Sequence, residues 1–297
     1  MADHTALGRA RRVASRRPGS GWTGGLPVVP LAIFAVFVIL ALGADIIVPH
    51  SPYATALSDR LLPPFWLAGG SPDHLLGTDR LGRDLLSRVI LGARISMLTG
   101  VVSVLIAGAV GTLLGLVAGY FGGWLDSVIM RTTDAMLSFP IILVALVFAV
   151  SLGPGLGNLI IVLALAMWAR FTRLARAETL TWKERDFVAL ARVAGCSSAR
   201  ILAVHIFPNV VNALVVLATL QIGWVIVVEA ALSFLGVGVP PPSPSWGSLI
   251  AEGRNYVGSA WWLGVFPGVA LILLVLSINL IGDWLRDALD PRMRELR

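Results

Sequence analysis

The sequence predicts an all-α membrane protein with six transmembrane helices, and three observations carry that prediction. Of the 297 residues, 57% are hydrophobic and only 13% are charged, whereas a soluble domain averages about a quarter charged residues. The apolar residues gather into uncharged runs longer than the roughly 18 residues that mark a membrane span. The runs lack the alternation of barrel strands, and in lipid only helices or closed barrels pair every backbone N–H and C=O. An ordinary cytosolic enzyme is excluded on the same grounds. So is a disulfide-built secreted domain, because Cys196 is the only cysteine and cannot form an intrachain bridge or a cysteine metal cluster.

Taken in chain order, residues 1–25 read as a cytoplasmic tail and 26–297 as the membrane domain. No charge occurs between Arg17 and Asp45, and the span is placed near 28–48. Five arginines precede it, as in a signal peptide, but its uncharged core is too long for one and no small-residue cleavage site clearly follows. The uncharged run Ile95–Leu125 gives a second span near 95–120. The run Ala135–Ala169 exceeds one helix and is interrupted by Ser151-Leu-Gly-Pro-Gly-Leu-Gly-Asn158, a turn by its glycines and proline. It divides into spans near 130–150 and 157–174. The last two lie near 210–235 and 260–283.

Orientation follows from the basic residues. With both termini in the cytoplasm, 17 of the 23 lysines and arginines lie inside, and Arg60, Arg80, Arg83, Arg88, Arg94 and Arg254 lie outside. The positive-inside rule selects that arrangement. The formal net charge of +6 is therefore a topology signal, and nucleic acid is not an expected partner. Between the spans, residues 49–93 form a proline-rich outer loop. It ends in a helical pattern, Leu81, Leu85 and Val89 against Arg80, Asp84 and Arg88, expected to lie in the interface as an amphipathic helix. Residues 236–259 form a second outer loop, after which Trp261 and Trp262 fall where an aromatic belt is expected.

The inner loop, 175–209, is the most informative segment. Its helical pattern stops near Gly195, where a left-handed cap is cheap. A short helix is expected from Ser197 or Ser198 as N-cap, and Pro208 marks entry to the fifth span. The elbow resembles the EAA loop of ABC-importer permeases: Ala189-Leu190-Ala191, then Gly195, then His205-Ile-Phe-Pro208, with both spacings kept. It departs at Ala189 for Glu, Leu190 for Ala, His205 for Ile and Phe207 for Leu, and its ending resembles the peptide and nickel branch. Gly77-Thr-Asp-Arg-Leu-Gly-Arg-Asp-Leu-Leu-Ser-Arg88 and Glu229-Ala-Ala-Leu-Ser-Phe-Leu-Gly-Val-Gly238 resemble further segments of the C-type permease subunit of dipeptide and oligopeptide importers.

That resemblance implies a type I importer permease fold in the bacterial inner membrane, with Ala189, Leu190, Ala191, Gly195, Cys196, Ser197, His205 and Pro208 in an ATPase-coupling loop. It implies as partners a second permease subunit, ATPase subunits that bind ATP and Mg, and an extracytoplasmic substrate-binding protein. Peptides are the expected cargo, with nickel or a small solute such as glutathione as alternatives. The residues agree on one point. Lys183 is the only lysine and no Gly-x-x-x-x-Gly-Lys-[Ser/Thr] occurs, so the chain lacks a nucleotide-cradling loop and is expected to hold no cofactor.

Other residues are weighed singly. Glu229 is the one acid well inside a span, and water reaching the outer end of its helix is expected to ease its cost. A structural hydrogen bond is favoured, with a substrate-amine contact or a pair with another subunit as alternatives. Ser103, Ala107, Gly111, Gly115 and Gly119 recur every four residues, a spacing that lets helices approach closely within the chain or at a subunit interface. Asp126, Arg131 and Asp134 are expected to be solvated or paired at the cytoplasmic end of the third span. His4, His50, His74 and His205 are scattered along the sequence, so no metal site is expected. A membrane enzyme would need converging catalytic groups. Ser233 four residues after Glu229 is weak support for one.

Overall fold

The computed structural model describes residues 26–289; the N-terminal tail, with His4, lies outside them. The described residues are mostly helical, with no strand beyond one isolated Thr78–Asp84 bridge. Helix α1 (Val28–Leu42) is apolar on every face and is followed after Gly43 by the short α2 (Ala44–Ile47). The central element is α3 (Leu85–Phe121). Its 37 residues extend about 55 Å, well beyond a hydrocarbon core of about 30 Å. Asp84 caps it by accepting from Ser87 N–H.

Leu85–Val89 is thus the first turn of the second span, and the expected separate interfacial helix does not form. The reason is electrostatic. Arg88, expected on the polar face of that helix, is 2% exposed and Arg83 6%, because Asp79 and Glu252 neutralise them. Trp262, assigned to an aromatic belt, is also buried, and its Nε1 donates to Thr78 O at 3.3 Å.

The third span differs from expectation too. Residues 130–150 do not form one straight helix: α4 (Gly123–Ser138) and α5 (Ile141–Leu152) meet at 95°. Pro140 sits at the bend, where it disfavours helical geometry for Phe139 before it. After the expected turn comes α6 (Leu156–Lys183), longer than the span near 157–174. Its basic end is sustained by ion pairs to α4, Arg176 to Asp126 at 2.5 Å and Arg173 to Asp134 at 2.6 Å. Arg131 stays exposed.

Helix α7 (Asp186–Val193) and α8 (Ser198–Arg200) form the elbow. Pro208 stands in the first turn of the fifth-span helix, as expected, but that helix does not begin after a loop. The chain is helical without a break from Ser198 to Phe234, through a π-helical segment, Ile201–Ile206, into α9 (Phe207–Phe234). A proline supplies no N–H and its ring displaces the carbonyl four residues back, and the wider π turn accommodates this locally. Helices α10 (Trp246–Gly253) and α11 (Trp262–Leu289) complete the fold. Among the described residues four helices, α3, α6, the Ser198–Phe234 helix and α11, are long and apolar enough to cross a membrane, and five if the bent α4–α5 pair is one span.

The bundle is organised around α3 against α6. Ser103, Ala107, Gly111, Gly115 and Gly119 are all buried, and the glycines face α6 directly. A Cβ on Gly111 would lie 2.3 Å from Trp168 O, one on Gly115 2.5 Å from Thr172 O, and one on Gly119 2.8 Å from Thr179 Cβ. The stripe is a contact within the chain. Gly108, three residues earlier, has ordinary room, 3.5 Å to the Phe171 ring. Gly111→Ala is therefore expected to cost about 1–3 kcal/mol through overpacking. Gly108→Ala should be neutral or gain up to about 1 kcal/mol from helix propensity. Thermal unfolding of the two variants in detergent, followed by tryptophan fluorescence, checks the contrast.

Candidate functional site

The elbow is built by local rules. α7 ends in a Schellman turn: Gly195 N–H donates to Arg192 O at 3.0 Å and Cys196 N–H to Ala191 O at 3.0 Å. Gly195 has φ +78° with nothing within 4 Å of a built Cβ, so backbone conformation, not space, demands glycine here. Ser197 then caps α8 by accepting from Arg200 N–H at 3.4 Å.

The elbow has two faces. Val188, Ala191, Ile201 and Ile206 are buried in the main core cluster. Lys183 and Arg192 lie over the Tyr120 ring at 5.8 and 5.5 Å, which ties the elbow to the C-terminal end of α3. The opposite face is apolar and open. Leu190 is 68% and Val193 87% exposed, and Ala189 and Ala194 are exposed beside them. Cys196 and His205 are half-buried, and Ser197 and Pro208 are exposed.

Glu229 is in a different setting from the one expected. It is fully buried rather than reached by water. Ser96 Oγ donates to its Oε2 at 3.1 Å and Ser233 Oγ to its Oε1 at 2.7 Å. Ser245, the N-cap of α10, donates to Ser233 Oγ at 3.2 Å. The carboxylate is the hub of hydrogen bonds joining α3, α9 and α10. Gly247 allows this approach, because a Cβ there would lie 2.4 Å from Ala230 O.

Sequence reasoning missed two polar groupings. At the end of the bundle that holds the α3 N-terminus, Asp79 accepts from Arg83 Nε at 2.6 Å and from Arg88 Nη1. Glu252 accepts from Arg88 Nη1 at 2.8 Å and Nη2 at 3.1 Å. Two carboxylates thus hold two buried guanidiniums and pin the outer loop to α3 and α10. Between α6 and α9, Arg170 donates to Gln221 Oε1 at 3.2 Å and its guanidinium lies 4.8 Å from the Trp224 ring centroid. Among the described residues no carboxylate pairs with Arg170. Arg170 follows directly on an uncharged run, which was the available signal that it lies within a long apolar helix. An apolar groove of about 730 Å³ opens between α3, α6 and the helix of α8 and α9, lined by Val104, Gly108, Phe171, Leu202, Phe207 and Leu214.

Residues 111–295 match the family described as the binding-protein-dependent transport system inner membrane component. The di/tripeptide transport system permease protein DppC of Pseudomonas aeruginosa is 44% identical over 92% of the chain and 89% of its own length. The dipeptide transport system permease protein DppC of Escherichia coli is 44% identical over 90% of the chain and 89% of its length. An inward-facing crystal structure of the MetNI methionine ABC transporter shares the fold, with TM-score 0.58 and 18% identity over 69% of the chain and 98% of the matched chain.

The Glu229 geometry separates its possible roles. Glu229→Gln keeps the volume and one acceptor oxygen, with an amide that can donate to the other serine, and should unfold at nearly the parental temperature with transport retained. Glu229→Leu strips two buried hydroxyls of their acceptor and should cost about 1–3 kcal/mol. Thermal unfolding in detergent together with an uptake assay measures both. A well-folded Glu229→Gln variant without transport would assign the carboxylate to cargo instead.

Proposed function

The chain belongs to the binding-protein-dependent transport system inner membrane components, and from that premise we propose that it is half of the membrane pore of an ATP-driven peptide importer. The subunit itself is non-catalytic. ATP and Mg are bound by partner ATPase subunits, a second permease subunit completes the pore, and an extracytoplasmic binding protein delivers cargo. Both termini and the elbow face the cytoplasm, a reading supported by the excess of basic residues on that side.

The observation that carries the coupling role is the two-faced elbow. Two large apolar side chains, Leu190 and Val193, stand exposed on a short helix whose other face is fixed in the core. Exposed apolar groups grouped in this way mark a surface that a partner covers. An ATPase subunit that grips α7 acts on a rigid lever, since Val188, Ile201 and Ile206 connect the elbow to α6 and α9. ATP binding then biases the bundle between two states through its differential contact with each. The apolar groove along α3 and α9 is assigned to the second permease subunit, where close packing rather than water exclusion holds helices together in lipid.

Peptide cargo is supported by the curated relatives, which are named as di- and tripeptide or dipeptide permeases. Proteoliposomes containing the whole complex and its binding protein are expected to accumulate a labelled dipeptide only when ATP reaches the ATPase side. Accumulation of Ni²⁺ but not dipeptide under the same conditions would replace the peptide reading with the metal one.

A further inference from the structure

Three chemistry-bearing side chains that lie far apart in sequence meet at the N-terminus of α3. His50 follows α2, His74 lies within the outer loop and Asp84 caps α3. Their ligand-capable atoms all lie within 4.8 Å of one another. His74 Nδ1 is 3.0 Å and His50 Nδ1 4.0 Å from the same oxygen, Asp84 Oδ1. The two imidazole rings are 4.9 Å apart between centroids and tilted by 43°. The scattering of histidines along the sequence concealed this, because the loop between residues 50 and 84 folds back on itself.

The surroundings aim the group. Asp84 Oδ2 is occupied, accepting from Ser87 N–H at 2.8 Å and Ser87 Oγ–H at 2.7 Å, which leaves Oδ1 turned to the imidazoles. Ser87 Oγ in turn accepts the backbone N–H of His50 at 3.2 Å. One serine therefore orients the carboxylate and anchors the more exposed of the two histidine positions. Exposure rises across the group, with side chains 1% exposed at Asp84, 14% at His74 and 42% at His50. A hydrogen bond between His74 and Asp84 needs no second imidazole. Yet the His50 ring sits beside the same oxygen and makes no hydrogen bond of its own among the described residues.

We propose that His50, His74 and Asp84 form a binding site for a divalent transition metal of the Zn²⁺ class, with an open coordination position on the solvent side. Metal–nitrogen and metal–oxygen bonds of about 2.0–2.2 Å in tetrahedral geometry separate neighbouring ligand atoms by about 3.3 Å. The two imidazole–carboxylate separations of 3.0 and 4.0 Å bracket that value, the group as a whole lies within 4.8 Å, and an inward shift of the half-exposed His50 ring would close it. Two imidazoles and one carboxylate form a borderline donor set that suits Zn²⁺ over Mg²⁺ or Ca²⁺. Ser87 supplies the outer hydrogen bond that orients the carboxylate ligand. A bound ion would clasp residues 50–84 to α3 beside the Asp79–Arg88–Glu252 network. The proposal stands on this geometry and does not depend on the transported cargo.

The test uses the whole complex on a non-histidine affinity tag, stripped with chelator and titrated with ZnCl₂. Elemental analysis after gel filtration should give one more zinc per permease chain in the parent than in the His50→Ala/His74→Ala double variant. Ser87→Ala should weaken binding about tenfold or more. Equal zinc content in parent and double variant across the titration would overturn the site. Should the double variant fail to assemble, Co²⁺ added to the parent complex decides the matter. Strong visible bands of a four-coordinate ion support the site, and only the weak bands of the hydrated ion refute it.

Discussion

The close approach of α3 and α6 is the contact on which the remaining structure rests. Backbone and small side chains meet there with no space for a methyl group at Gly111 or Gly115. In lipid the hydrophobic effect does not drive helices together, so association depends on such packing. With that contact made, α3 becomes a rigid mast whose two ends are fastened differently. At one end Arg83 and Arg88 bind Asp79 and Glu252 and draw the outer loop and α10 onto the helix. At the other, Tyr120 lies beneath Lys183 and Arg192 and receives the elbow. The elbow is thereby tied by packing to α3, α6 and α9 together rather than attached as a loose loop.

The charged residues are used in a way that explains why so few suffice. Outside the elbow, several described acids and arginines are paired across elements: Asp126 with Arg176, Asp134 with Arg173, Asp45 with Arg94. Removing one partner of a buried pair leaves an uncompensated charge and costs about 3–5 kcal/mol. The Arg88 pairs, with both guanidinium and Asp79 nearly inaccessible, fall in that class. The exposed Arg173–Asp134 pair is of the kind worth about 0–1 kcal/mol. Arg170 departs from the pattern, resting on an amide and an aromatic face.

Much of this was legible in the sequence, and the parts that were not have physical reasons. The turn at 151–158, the glycine stop at Gly195 and the Ser197 cap follow from backbone chemistry that depends on a few adjacent residues, and the structure places each there. The small-residue spacing along α3 identified a contact face but not its partner, because α6 is 57 residues away at the Ser103–Ile160 hydrogen bond. The burial of Arg83 and Arg88 was illegible for the same reason. Periodicity records which residues share a face, and Glu252, more than 160 residues later, decides whether a charged face is solvated. The bend at Pro140 and the unbroken helix through Pro208 show the two outcomes of one residue type. Which occurs depends on whether the preceding turn can widen.

Helix α7 is proposed as a lever with one face anchored in the core and the other left for an ATPase subunit. Its most direct test is the Leu190→Glu/Val193→Glu double variant, since both side chains are exposed and the change should leave the fold intact. Co-purification of the ATPase subunits with the permease pair, measured beside thermal stability, gives the answer. The expected result is an unaltered unfolding temperature with the ATPase subunits lost from the complex. Full ATPase stoichiometry with undiminished ATP-driven uptake would contradict it.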